Sequence, residues 1–238
     1  MSILRNVQIA LVALFLPLTA HAQSSAPATP VPLSTFTDYA VGSDTAPVEI
    51  IEYASFACPA CKNWHDGVWS WLKPDYVDTG RVRFIIRPIV TQPYQIAAAS
   101  AIMAECAGPD RYFETVDLLF AAQPQIFDAI RAQGDILGIY HGIGATVGVS
   151  AEDLQACLQD PAKNERIGET IALANADEVR GTPSFVINGQ ALGIDDSGSL
   201  TWGGEPLIVN GERLPANYGE DNFRRIVLHF LNVSDSDQ

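Results

Sequence analysis

Residues 48–61 read Val-Glu-Ile-Ile-Glu-Tyr-Ala-Ser-Phe-Ala-Cys-Pro-Ala-Cys, and no other stretch constrains the fold as tightly. The first six residues are apolar and β-branched enough to form a buried strand. Trp64, Val68, Trp69 and Leu72 then recur at three- and four-residue spacing, which predicts a helix from about Cys58 to Leu72, broken by Lys73-Pro74. Two cysteines two residues apart therefore sit where a strand turns into a helix. The helix N-terminus carries unpaired N–H groups and roughly half a positive charge, which stabilise a thiolate. The first thiol of such a pair has a pKa well below the free value of about 8.5. The second, one turn on, can close an exchangeable disulfide with it.

The remaining pattern predicts an α/β chain. Val82–Pro88 (VRFIIRP) is a second apolar strand, and Ser184–Ile187 a third, ended by Asn188-Gly189. Between them the signal is helical: Pro93–Ala107, Asp110–Gln123, Ile126–Leu137, Ala151–Leu158 and Pro161–Val179. The Gly-rich run beginning at His141 (HGIGATVG) reads as a helix–helix connection and not a phosphate loop, because no strand precedes it. Asp221–Leu231 is a C-terminal helix. The segments VING (186–189) and IVNG (208–211) echo each other, and Asn-Gly is a hairpin signal, so residues 189–219 are expected to add a β-hairpin.

The N-terminus reads as a secretory signal peptide over residues 1–22. Arg5 is its one charge, Val7–Leu18 is apolar apart from Gln8, and Ala20-His21-Ala22 supplies small residues before Gln23. Residues 23–37, rich in Ser, Ala, Pro and Thr, read as a flexible leader. An extracytoplasmic, periplasmic location follows, where disulfides persist. The formal charge of −14 argues against nucleic acid or anionic lipid as partners. Four cysteines allow three pairings; Cys58 with Cys61 is the obvious one and leaves Cys106 with Cys157 as a structural bond. Zinc is disfavoured because Cys106 and Cys157 are far apart, and haem attachment fails because Lys62 stands where histidine is needed. His65 reads as a solvated helix residue, and no metal or organic cofactor is expected.

Two segments, EYASFACPAC (52–61) and GTPSFVING (181–189), together resemble the DsbA family of periplasmic thiol oxidases. The helical block falls where that family inserts its helical domain. The resemblance implies a thioredoxin-like fold, with residues 38–90 and 181–238 forming that domain and 91–180 an all-helical insert. It implies Cys58 as nucleophile, Cys61 as resolving thiol, and Thr182-Pro183 as a cis-proline pair where substrate backbone docks. It implies that Glu52 is a buried carboxylate moving protons to and from Cys61. The implied activity is oxidation of cysteine pairs in exported proteins, by a monomer whose disulfide a membrane redox partner regenerates. Reductase or isomerase action, or a holdase using the cis-proline groove, are the alternatives. The chain departs from the family at Ala60, where the best-known oxidases have histidine, which predicts a weaker oxidant. It also departs in the length of residues 189–219.

Overall fold

The computed structural model describes residues 36–236. The signal-peptide reading and all but the last two residues of the predicted leader lie outside them. Strand β1 (Ala40–Val41) leads into β2 (Val48–Ala54), whose residues are buried on both faces except Glu49. Helix α1 (Pro59–Trp64) follows, with Pro59 at its first position, where a missing N–H costs nothing. The helix does not stop at Lys73-Pro74. It continues through wide turns at His65–Trp69, through α2 (Ser70–Leu72), and through a second wide turn at Lys73–Val77. Asp78 N–H bonds to Lys73 O at 2.9 Å, a five-residue step. Widening the turn makes room for the Pro74 ring, so the proline is absorbed where it was expected to break the helix.

Strand β3 (Val82–Pro88) returns parallel to β2, in register from Val48↔Val82 to Ala54↔Pro88, as a strand–helix–strand crossover requires. The helices α3 (Tyr94–Cys106), α4 (Tyr112–Ala132), α5 (Ile136–Val147), α6 (Ala151–Leu158) and α7 (Pro161–Ala176) follow. Two sequence expectations are corrected here. Helix α4 runs unbroken through Pro124, joining what read as two helices. The Gly-rich run after His141 lies inside α5, where Gly144 lets the helix approach Val149 O, which an added Cβ would meet at 2.8 Å.

Strand β4 (Ser184–Ile187) pairs antiparallel to β2. Beyond it come β5 (Gln190–Ile194), β6 (Leu200–Trp202), β7 (Glu205–Pro206), β8 (Ile208–Val209) and β9 (Glu212–Arg213). The sheet order is β1-β3-β2-β4-β5-β6-β7, with β8-β9 a separate hairpin. Both Asn-Gly pairs sit at hairpin turns with positive φ, 48° and 77° at Asn188-Gly189 and 52° and 81° at Asn210-Gly211. Residues 189–219 thus extend the main sheet as well as adding a hairpin. Helix α8 (Glu220–Ser236) closes the chain with Phe223, Ile226, Val227, Phe230 and Leu231 buried.

One hydrophobic cluster runs from Ile50 and Phe84 of the sheet through Trp64 and Phe223 to Phe120, Ile143 and Leu154 of the helical block. The sheet and the inserted helices share that core. A smaller cluster on the other sheet face holds Ile51, Tyr53, Ile85 and Val186 against Ala174 of α7. There Arg87 donates to Asp38 through Nε at 2.9 Å and Nη2 at 2.8 Å, and through Nη1 to the Tyr53 hydroxyl at 2.7 Å. Tyr53 in turn donates to Asp177 at 2.6 Å.

Candidate active site

Cys58 and Cys61 are free thiols in the structure. Cys58 is the N-cap residue of α1, in extended conformation and half-buried, while Cys61 is fully buried. The environment drives the two thiols apart. A hydrogen bond with Cys61 is the largest influence on Cys58 and brings its pKa down to about 5. The Thr182 side chain and the N–H groups of Cys61 and Ala60 add to this, and partial burial opposes it. Cys61 is pushed far up, first by that same bond to Cys58, then by burial and by the Glu52 charge. The Ser55 N–H, 3.4 Å from Cys61 Sγ, pulls weakly the other way.

The Thr182–Pro183 peptide bond is cis. It brings the Thr182 carbonyl to 3.4 Å from Cys58 Sγ, where it accepts from the neutral thiol. That contact is lost when the thiol ionises. Glu52 lies on β2 with 1% exposure, and neither carboxyl oxygen has a hydrogen-bond partner among the described residues. Burial first, and the Cys58 charge second, hold its pKa well above the ordinary value. The structure therefore brings Cys58, Cys61, Glu52, Thr182 and Pro183 to one place.

Cys106 and Cys157 are far from that site in sequence and role. They join the end of α3 to α6 through an S–S bond of 2.06 Å. Glu105 beside them is buried and faces Arg166 at 3.1 Å and Lys163 at 3.3 Å.

Gln123 escaped the sequence reading. Its side-chain amide donates to Phe56 O at 2.7 Å and to Cys58 O at 3.1 Å, tying the cysteine loop to α4. The signal was present: a glutamine in step with Val116, Leu119, Phe120 and Ile126 on the buried side of a helix. His65 is corrected from the solvated role expected of it. Its ring packs 4.7 Å from Phe120, and Nε2 lies 2.9 Å from Asp117, which also accepts from Trp69 Nε1 at 3.0 Å. A second cis bond, Gln92–Pro93, precedes α3 and had no recognised signal. No His, Cys, Asp or Glu cluster suited to a metal occurs among the described residues. Nor is any described helix long and apolar enough to cross a membrane.

A mixed sheet that feeds a parallel strand into a Cys-x-x-Cys helix, and turns a cis-proline back onto the first sulfur, is the thioredoxin fold. Helices inserted after β3 give it the DsbA arrangement. The thioredoxin family model matches residues 34–200, and the chain belongs to that family. It is 29% identical over 157 residues to a putative protein-disulfide oxidoreductase of Rickettsia conorii, covering 66% of this chain and 55% of that one. It therefore spans about half the length of the Rickettsia relatives it matches. It is 27% identical over 161 residues to a probable disulfide bond formation protein D of Bacillus cereus, covering 67% and 74%. Among solved structures, α-DsbA1 of Wolbachia pipientis superposes with a TM-score of 0.65 at 22% identity, covering 87% of this chain and 96% of that one. BdbD of Bacillus subtilis does so with a TM-score of 0.60 at 19% identity, covering 82% and 93%. These two likenesses show the fold.

Proposed function

We propose that the protein is an extracytoplasmic thiol:disulfide oxidoreductase that oxidises cysteine pairs in exported proteins. The observation that carries this reading is the asymmetry of the two thiols, Cys58 at about 5 and Cys61 far above its ordinary value. A thiol of low pKa is a good leaving group, and a stabilised reduced form makes the dithiol an oxidant. In the disulfide form, a substrate thiolate attacks Cys58 Sγ and the bond to Cys61 breaks. Cys61 leaves with the electron pair and takes a proton from the Glu52 carboxyl. The substrate's second thiolate then attacks the substrate sulfur of the mixed disulfide. Cys58 is released as a thiolate, and two electrons have passed from substrate to protein. A membrane-bound redox partner, by this reading, takes them away.

The names carried by the Rickettsia and Bacillus relatives support the chemistry, and the apolar run at Val7–Leu18 supports export. The test is direct. Oxidised protein is mixed with a reduced, unfolded protein bearing two cysteines, and disulfide formation in the substrate is followed. Cys58→Ser is expected to abolish it, and Cys61→Ser, supplied with Cys58 as a mixed disulfide to thionitrobenzoate, to exchange that group for the substrate thiol and give a protein–substrate mixed disulfide. Undiminished disulfide formation with Cys58→Ser defeats the proposal, and substrate binding by the parent with no disulfide formed favours a holdase. A Cys58–Cys61 potential well below that of the glutathione pool reverses the direction to reduction.

A further inference from the structure

The amide aimed at Cys61 belongs to the Ala54–Ser55 peptide, and the fold holds that peptide from several sides. Strands β2 and β3 stay in register to Ala54↔Pro88, and the next N–H, that of Ile89, bonds to Ala54 O at 2.8 Å. A planar trans peptide carries its oxygen and hydrogen on opposite sides, so fixing the carbonyl aims the N–H. The Ser55 N–H points at Cys61 Sγ, 3.4 Å away. The same pairing carries Thr91, between β3 and α3, to the fully buried Ser55. The Thr91 hydroxyl donates to Ser55 Oγ at 2.8 Å, and the Ala57 N–H to the same oxygen at 3.2 Å. The Ser55 carbonyl accepts from the Cys58 N–H at 2.9 Å. Burial, Cys58 and Glu52 all oppose a charge on Cys61, and the Ser55 N–H favours one.

We infer that the Ser55 N–H is a catalytic hydrogen-bond donor to Cys61 as that sulfur leaves, and that Thr91 is the positioning residue that holds it on target through the Ser55 hydroxyl. The inference rests on the proposed exchange activity. When a thiolate attacks Cys58 Sγ, the Cys58–Cys61 bond breaks and its electron pair passes to Cys61 Sγ. Cys61 is fully buried, so solvent does not share that charge. A donor already in place grows stronger as the charge builds and needs no reorganisation. It supports the sulfur until the Glu52 carboxyl gives up its proton. Cys58 draws instead on the N-terminus of α1. The two sulfurs therefore have separate supports, and Thr91 acts on one leaving group and not on the other.

The experiment compares two reactions. In the first, dithiothreitol reduces the Cys58–Cys61 disulfide. Its second thiol resolves the mixed disulfide within the same adduct, so the rate reads the step in which Cys61 leaves. In the second, a Cys61→Ala protein carries thionitrobenzoate on Cys58, and dithiothreitol releases it with no Cys61 to leave. Thr91→Val keeps the side-chain shape and removes the hydroxyl. It is expected to slow the first reaction about three- to tenfold, as one weakened hydrogen bond allows, and the second by less than about twofold. Ser55→Ala removes the acceptor instead and should give the same pattern. Thr91→Ser restores a hydroxyl and should return the first reaction toward the parent rate. Thr91 is half-buried and both truncations are small, so neither opens a large cavity. Equal slowing of the two reactions reduces the Thr91–Ser55 bond to a structural contact and overturns the inference, as does a first reaction unmoved in both variants. A parent disulfide that dithiothreitol reduces only after unfolding instead overturns the exchange reading, and the inference falls with it.

Discussion

The Cys58 sulfur owes its pKa of about 5 to donors gathered at one point: the Cys61 thiol, the Thr182 side chain and two N–H groups of the first helical turn. At pH 6 that thiol is already mostly ionised. Alkylation at Cys58 is therefore expected to change little between pH 6 and 8, where a free cysteine speeds up roughly a hundredfold. Cys61, buried and held protonated, is expected to remain unlabelled in the same interval, as peptide mapping by mass spectrometry would read out. A Cys58 rate that climbs like that of a free thiol rejects the assignment. Glu52 makes the opposite kind of prediction. Its folded pKa lies above 4.5, so the folded state keeps a proton that the unfolded chain has released. Stability is then lost as pH rises from about 4.5 toward the folded pKa. Glutamine imitates the protonated acid. Glu52→Gln should be more stable than the parent at pH 7, with the gap closing near pH 4, in urea titrations of the disulfide form. A variant that is less stable at pH 7 contradicts the buried, unpartnered carboxyl.

Helix α4 controls the cysteine loop from outside it. Gln123 satisfies the carbonyls of Phe56 and Cys58, and replacing it with leucine leaves Phe56 O buried without that donor. Gln123→Leu should cost about 1–3 kcal/mol of unfolding free energy and shift the Cys58 alkylation profile, because the loop that positions the helix N-terminus loosens. Unchanged stability and profile show that the contact is incidental. The bond between α3 and α6 belongs to the same scale. Cys106 and Cys157 close a loop with a sequence separation of 51. Their joint replacement by alanine is expected to cost about 4 kcal/mol in the chain-entropy model, read as an earlier denaturant midpoint. Exchange at Cys58 should persist in whatever fraction stays folded. Loss below about 1 kcal/mol means the bond constrains little in the unfolded chain.

For the molecule as a whole, redox state and stability are linked through one proton. Cys58 of the reduced protein has a folded pKa of about 5 against an ordinary 9.0, so between these values the unfolded chain holds a proton that the folded one lacks. The reduced form therefore gains stability as pH rises from 5 toward 9, while the disulfide form has no such titration. The difference between the two forms in chemical denaturation should move in favour of the reduced protein over that range. A difference independent of pH refutes the stabilised thiolate. Much of this could be read from the chain. Strand β2 running into Cys58-Pro59-Ala60-Cys61, the Ser184–Ile187 strand after Thr182-Pro183, the spacing of Phe223, Ile226 and Phe230, and the two Asn-Gly turns are all local patterns. Periodicity and turn chemistry act over a few residues, so sequence reports them. The two-residue strand β1, by contrast, exists only because β3 offers it an edge. The passage of helices through Pro74 and Pro124 depended on neighbours that hold them together against a local defect. Gln123 met Phe56 and Cys58 across 67 and 65 residues of chain, and Glu52 found itself without a partner, only once the core had closed. The sequence by itself determined which residues could do the chemistry and the elements that carry them. The tertiary structure alone decided their burial and their proton affinities, because these depend on groups brought together by packing and not by order along the chain.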